Sequence, residues 1–194
     1  MVLGDLTFDE AYDFYLHCLE EIYGSEIDGN LFSTSKEDFQ KVFYMTGGRM
    51  FFIETFIQQI SETGQKINEG NTYISKNLLV LDFEPILQEH DMLSDFVYGT
   101  DTFTGKDFQY AVGSLINSKT GYYSYEGLYL ELGDGNTDAG KKKVSALIKK
   151  NVLHFRPASK MARDLIPYPP YRVVTATGTP ALRAMELILK KHGK

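Results

Sequence analysis

Along the first 64 residues the apolar positions recur every three or four places, the spacing of one helix face. Phe8, Ala11, Tyr12, Tyr15, Leu16, Leu19 and Ile22 form the first such stripe, and Thr7 stands three residues ahead of Glu10, as a capping box requires. Gly24 is the expected stop, and residues 25–32 read as a loop turning at Gly29-Asn30. Ser35 caps a second predicted helix that runs to about Met45 and buries Phe39, Val42 and Phe43. Gly47-Gly48 breaks it. A third helix starts near Arg49, carries Met50, Phe51, Ile53, Phe56, Ile57 and Ile60 on a broad apolar face, and ends near Gly64.

Residues 65–81 are ambiguous: NEGN reads as a turn, and YISKNLLVL fits helix or strand. Pro85 suits the first turn of a helix running to about Val97. Thr104 with Asp107 caps another, expected to end near Lys119. The aromatic and aliphatic run Tyr122–Leu132 reads as a strand or hairpin before Gly-Asp-Gly-Asn. Asp138 then caps a short helix from Ala139 to Lys150, with Val144, Leu147 and Ile148 inward and its lysines mostly outward. Val152–Phe155 and Tyr171–Thr175 read as two strands joined by a long Pro-containing connection. Thr179-Pro180 opens a closing helix to Lys191, in the order cap, then N1 proline.

The pattern predicts a mainly α fold with a small β component: a helical lid-like bundle over residues 1–64, then a helical and winged-helix-like unit over 65–194. Residues 139–176 supply the helix and the wing of that second unit.

Composition narrows the class. The chain has 194 residues, 43% hydrophobic and 24% charged, a globular rather than disordered balance. No apolar run is long enough for a membrane-spanning helix, and the N-terminus has neither the basic start nor the apolar stretch of a secretory signal. The single cysteine, Cys18, excludes an internal disulfide framework. An intracellular setting, cytoplasmic or nuclear, is expected, with no membrane partner.

Charge is uneven. Residues 1–139 hold 7 Lys+Arg against 24 Asp+Glu, a net of −17, while residues 140–194 hold 13 against 2, a net of +11. Such a split fits a basic binding surface beside an acidic body, or two regions that attract one another.

No catalytic constellation emerges. A P-loop needs backbone amides around phosphate and a hydroxyl after its lysine. At Gly105-Lys106 the leading glycine is replaced by Thr100 and the hydroxyl by Asp107; at Gly140-Lys141 the hydroxyl is replaced by Lys142. There is no G-x-S-x-G elbow, and His17, His90, His154 and His192 show no metal-binding spacing. Glu126 and Glu131 lack the lysine two positions on that a nuclease strand would carry. Cys18 reads as a buried structural thiol. Neither a cofactor nor a metal is expected, and no catalytic residue is assigned.

One pair of segments carries a family signal. VLGDLTFDEAYDFYL, followed by STSKEDFQKVFYMTGGRMFFIETFIQQI, resembles the helical lid that follows the nucleotide-binding core in STAND-type and archaeal-type AAA+ ATPases. Leu3, Leu6, Glu10 and Ala11 match the lead-in and acidic helix start; Thr46, Gly47 and Gly48 match the glycine pair opening a later helix. VSALIKKNVLHFRP resembles the end of the winged helix that follows such lids, and RVVTATGTPALRAMEL is similar to crinkler-type NTPase-linked proteins. The resemblance covers about residues 2–62 and 143–193. It implies that Thr46, Gly47, Gly48 and Arg49 are a remnant of a nucleotide-proximal corner, with Arg49 at the charge-sensing position. It further implies a module without the Walker core, unable to hydrolyse nucleotide.

Two functions compete on this reading, beside a third option of an enzyme of unrecognised type. One is a non-catalytic protein-binding module that uses the Thr46–Arg49 face and surplus aromatics among its 13 Tyr and 13 Phe. The other is nucleic-acid binding through Lys141, Lys142, Lys143, Lys149, Lys150, Arg156, Lys160, Arg163 and Arg172, which would line a recognition helix and wing.

Overall fold

The computed structural model describes residues 6–24, 32–63, 83–158, 165 and 167–192. The chain divides into two compact units, 1–86 and 87–194. The ambiguous stretch 65–81, the turn at Gly29-Asn30, and the candidates Lys160 and Arg163 lie outside the described residues, as does the expected division after residue 64. The fold is mainly helical, with one small antiparallel sheet.

In the first unit three helices, α1 (Phe8–Tyr23), α2 (Lys36–Thr46) and α3 (Met50–Thr63), pack against one another. The expected caps form. Thr7 and Glu10 close a capping box on α1, and Ser35 accepts from the Asp38 amide at the start of α2. Their inward stripes meet: Ala11, Tyr15, Cys18 and Leu19 of α1, Phe39, Val42 and Met45 of α2, and Ile53, Phe56, Ile57 and Ile60 of α3 are all buried. Several aromatic rings are absorbed here. Phe39 stands 5.5 Å from Phe8 and 5.0 Å from Tyr15, centre to centre. The Tyr15 hydroxyl donates to Ser33 O at 3.2 Å, which satisfies the polar end of a ring 1% exposed. Burial of that hydroxyl among apolar groups pushes its pKa far up.

The division falls inside α4 (Glu84–Ser94), which stops short of the expected end at Val97 because residues 95–98 turn. In the second unit α5 (Gly105–Ile116) is opened by a capping box of Thr104 and Asp107. It leads to β1 (Tyr122–Ser124), α6 (Tyr125–Gly133), α7 (Thr137–Lys149), β2 (His154–Arg156), β3 (Val173–Thr175) and α8 (Thr179–His192). The strands lie in the order β1-β3-β2, both pairs antiparallel, with Tyr122 and His154 each opposite Thr175. Val173 and Val174 are fully buried, and α8 closes against α5 with Ala181, Ala184, Met185 and Ile188 inward.

Three expectations need correction. Thr179 is the first residue of α8 rather than its cap, with the Leu182 amide donating to Gly178 O at 3.0 Å. Only the first three residues of the stretch 122–132 form a strand; the rest is helix. Ser124 caps that helix by accepting from the Gly127 amide, and Leu128 and Leu132, four apart, are its buried positions. The apolar run followed the helical period, and the aromatic content that suggested a strand was misleading. The next helix is capped by Asn136, not Asp138: Asn136 Oδ1 accepts from the Ala139 amide at 3.0 Å.

Candidate nucleic-acid interface

The two sets of residues picked out in the sequence meet different fates. At the Gly47-Gly48 corner, Gly47 is the left-handed cap of α2 with φ +65°, and Gly48 follows with φ +78°. A Cβ on Gly48 would lie 2.4 Å from Leu6 O, and the Leu6 amide donates to Gly48 O at 3.0 Å. The close backbone approach that a double glycine permits is therefore made by the chain's own N-terminal segment. Thr46 is fully buried, its hydroxyl donating to Val42 O at 3.0 Å. Arg49 extends over the Phe52 ring, 5.9 Å from its centre. On the Leu6 side the space beside Gly48 is filled by Leu6 O and the Phe43 ring.

Five of the basic candidates, Lys141, Lys142, Lys143, Lys149 and Lys150, lie on α7 or cap its end, and α7 follows α6 through a short turn. Asp134, at φ 47°, ends α6 in the left-handed region; Gly135, at φ 83°, continues the turn, and Asn136 caps α7. The two helices approach so closely that a Cβ on Gly140 would sit 1.8 Å from Tyr129 O, which is inside any permissible contact. Gly140, Val144 and Leu147 form the buried stripe of α7.

That stripe sorts the lysines. Lys141, Lys142, Lys149 and Lys150 are exposed. Lys143 is not a solvated cation, contrary to expectation. Its ammonium donates to Asp107 Oδ1 at 2.8 Å and to Leu132 O at 2.9 Å, with the side chain 27% exposed. Position 143 is three past Gly140 and four before Leu147, so the core spacing itself turns it inward. Burial alone would raise the Asp107 carboxyl, but hydrogen bonds from Lys143 and Thr104 outweigh it and hold the group below its ordinary value. Among the remaining candidates, Arg172 is engaged by Glu126 at 2.5 Å and lies over the Tyr125 ring, and Arg156 is half-buried at the end of β2.

The exposed face of α7 forms one wall of a groove of about 560 Å³. Lys141, Lys142, Ser145, Ala146, Lys149 and Lys150 line it on one side, and Thr100, Asp101, Thr102 and Phe103 on the other. The second wall was missed in the sequence. Its only signal was the Thr104–Asp107 capping box beside it, because the contact joins segments about forty positions apart.

Among the described residues no cluster of three or more His, Cys, Asp or Glu side chains is placed to hold a metal, and no helix is long and apolar enough to cross a membrane. No protein-family model matches the chain, and no curated protein or solved structure matches it.

Proposed function

We propose that the 87–194 unit is a winged helix-turn-helix that binds nucleic-acid duplexes through their phosphates, with α7 as the helix that enters the groove. One observation carries this reading: a three-residue turn, Asp134-Gly135-Asn136, delivers a helix whose exposed face bears Lys141, Lys142, Lys149 and Lys150. The element order supports it, since helix, strand, two helices and two further strands close on a sheet ordered β1-β3-β2. The unit holds 15 Lys+Arg against 11 Asp+Glu, while residues 1–86 hold 5 against 15.

The groove-facing side of α7 offers lysine and serine but no Arg, Asn or Gln, so it lacks the planar forks and amides that read base edges most selectively. Binding on this reading is to backbone and is nearly independent of sequence. Four neutralised phosphates give a log–log salt slope of about −3.6, and an affinity loss of about a hundredfold between roughly 50 and 200 mM salt. Fluorescence anisotropy with two duplexes of unrelated sequence tests this. Similar affinities and that slope support the proposal; no binding at the lower salt refutes it.

A second reading, a non-catalytic protein-binding module resembling an ATPase lid, draws on the first turn of α3. There Phe51 is 68% exposed and Met50 41% exposed. A photo-crosslinker at Met50 tests it: a discrete protein adduct in cells that Phe51→Ser abolishes supports docking, and its absence refutes it.

A further inference from the structure

The face of α7 that lines the groove has an internal order. Lys141-Lys142 and Lys149-Lys150 stand at its two ends, and the small pair Ser145-Ala146 lies midway at four-residue spacing. The floor is therefore low between two cationic rims. At 1.5 Å of rise per residue the two lysine pairs are about 12 Å apart along the helix. The two rims together carry four ammoniums, more charge than one phosphate neutralises. A nucleic-acid strand, with one charge per about 3.4 Å of duplex axis, offers several phosphates over that length.

The facing wall is fixed rather than loose. Thr100 Oγ1 accepts from the amides of Thr102 and Phe103, the Thr100 amide donates to Phe103 O at 2.7 Å, and Gly99 bridges to Thr104. Phe103 is 2% exposed and anchors the turn. Asp107, one helical turn into α5, is the residue that Lys143 of α7 pairs with, so the same ion pair ties this wall to the lysine-bearing helix. In that wall stands Asp101, exposed, accepting from the Thr102 hydroxyl at 3.4 Å and, among the described residues, making no ion pair across the groove.

We propose that this groove seats one phosphodiester strand of the duplex and that Asp101, a carboxylate in its wall, sets the upper limit of the affinity. The inference rests on the nucleic-acid reading above. Asp101 repels the strand at close range. The lysines attract it, and the balance keeps the site weak enough to release.

The test compares the full chain with Asp101→Asn, Lys142→Gln and Lys149→Gln, and with Asp95→Asn as a control carboxylate that is exposed and outside the groove. The probe is a fluorescein-labelled duplex, with inorganic tripolyphosphate as a compact competitor. Asparagine keeps the acceptor for Thr102, so the turn is retained. Asp101→Asn is expected to tighten binding about three- to tenfold at roughly 50 mM salt, with the gain shrinking by about 200 mM, while Asp95→Asn changes nothing. Lys142→Gln and Lys149→Gln are each expected to reduce the salt slope by about 0.9. If the lysine variants weaken binding but Asp101→Asn leaves it unchanged, the role of Asp101 is overturned and the nucleic-acid reading survives. If the duplex binds and neither lysine variant alters the slope, the groove is not the site. Tripolyphosphate binding as tightly as duplex overturns the strand assignment. Failure of the wild-type chain to bind any duplex removes the underlying reading and this inference together.

Discussion

Lys143→Met isolates the contact on which the geometry of the second unit turns. Methionine keeps a long apolar stem but removes the ammonium, so the Asp107 carboxylate loses its ionic partner at 2.8 Å and Leu132 O loses a donor at 2.9 Å. A hydrogen bond between charged groups is worth about 1.5–3 kcal/mol, and an orphaned buried acceptor costs about 1 kcal/mol more. Asp107 keeps two bonds from Thr104, at 2.7 and 2.8 Å, and Lys143 is 27% exposed, so the penalty of a fully buried broken pair is not reached. The net loss is about 2–3 kcal/mol. With a urea slope of about 1.5 kcal/mol/M for a unit of this size, the midpoint falls by about 1.5 M. The chain has two compact units, so the readout is hydrogen exchange of the 105–116 peptide in urea rather than one whole-chain signal. Asp107→Asn and the double variant complete a cycle whose coupling is expected to exceed about 1 kcal/mol. The pH dependence has a definite sign. The Asp107 pKa is depressed below its ordinary 3.8, so its stabilisation is present above that value and is lost as pH falls through the lower folded value. Lys143→Met flattens that acid limb. A midpoint shift below about 0.3 M, or an additive cycle, would refute the reasoning.

Other substitutions test the remaining close approaches. Gly140→Ala places a methyl 1.8 Å from Tyr129 O and is expected to cost more than about 3 kcal/mol, read as loss of exchange protection in α6 and α7. Gly113→Ala, in the middle of α5 with only Leu189 at 3.8 Å, is expected to stabilise by up to about 1 kcal/mol by the same measurement. Gly48→Ala, at φ +78° and 2.4 Å from Leu6 O, is expected to lower the melting point of the first unit more than Gly24→Ala, which meets nothing within 4 Å. Cys18 is buried, and desolvation with nearby Glu54 and Glu21 pushes its thiol pKa up, so a thiol reagent is expected to react slowly until urea opens the first unit.

Much of the local structure was legible because it is written in local chemistry. The caps at Thr7, Ser35 and Thr104 each depend on partners three residues away, and each forms. The error at 122–132 arose where aromatic side chains favour a strand by composition and a helix by spacing; Leu128 and Leu132, both buried, show which signal decided. The asymmetry of charge was visible in the sequence, but the division of labour among the lysines was not read, although the spacing from Gly140 to Leu147 contained it. What lay beyond reach was pairing at long range. Nothing near Gly48 in sequence announces that Leu6 fills its side, and nothing near Lys149 announces a turn at Thr100–Phe103 across the groove.

The two faces of α7 are coupled, and this constrains how the unit can change. Gly140, Val144 and Leu147 hold the helix against its neighbours, and Lys143 on the same side is bonded to the capping carboxylate of α5 and to the end of α6. The Lys143–Asp107 contact joins α7 to the helix that directly follows the opposite wall, so it resists a displacement of α7 that widens the groove. The exposed positions of the lysines at 141, 142, 149 and 150 are thus set by residues on the opposite, buried side of the helix. It follows that Lys143→Met and Lys142→Gln, adjacent neutralisations in one helix, should separate cleanly. The first lowers stability and leaves the duplex salt slope near its wild-type value wherever the unit stays folded; the second reduces the slope by about 0.9 and leaves stability unchanged within about 0.5 kcal/mol. Equal effects of the two on both measurements would mean that Lys143 is as available to a polyanion as Lys142, and the assignment of faces on α7 would fail.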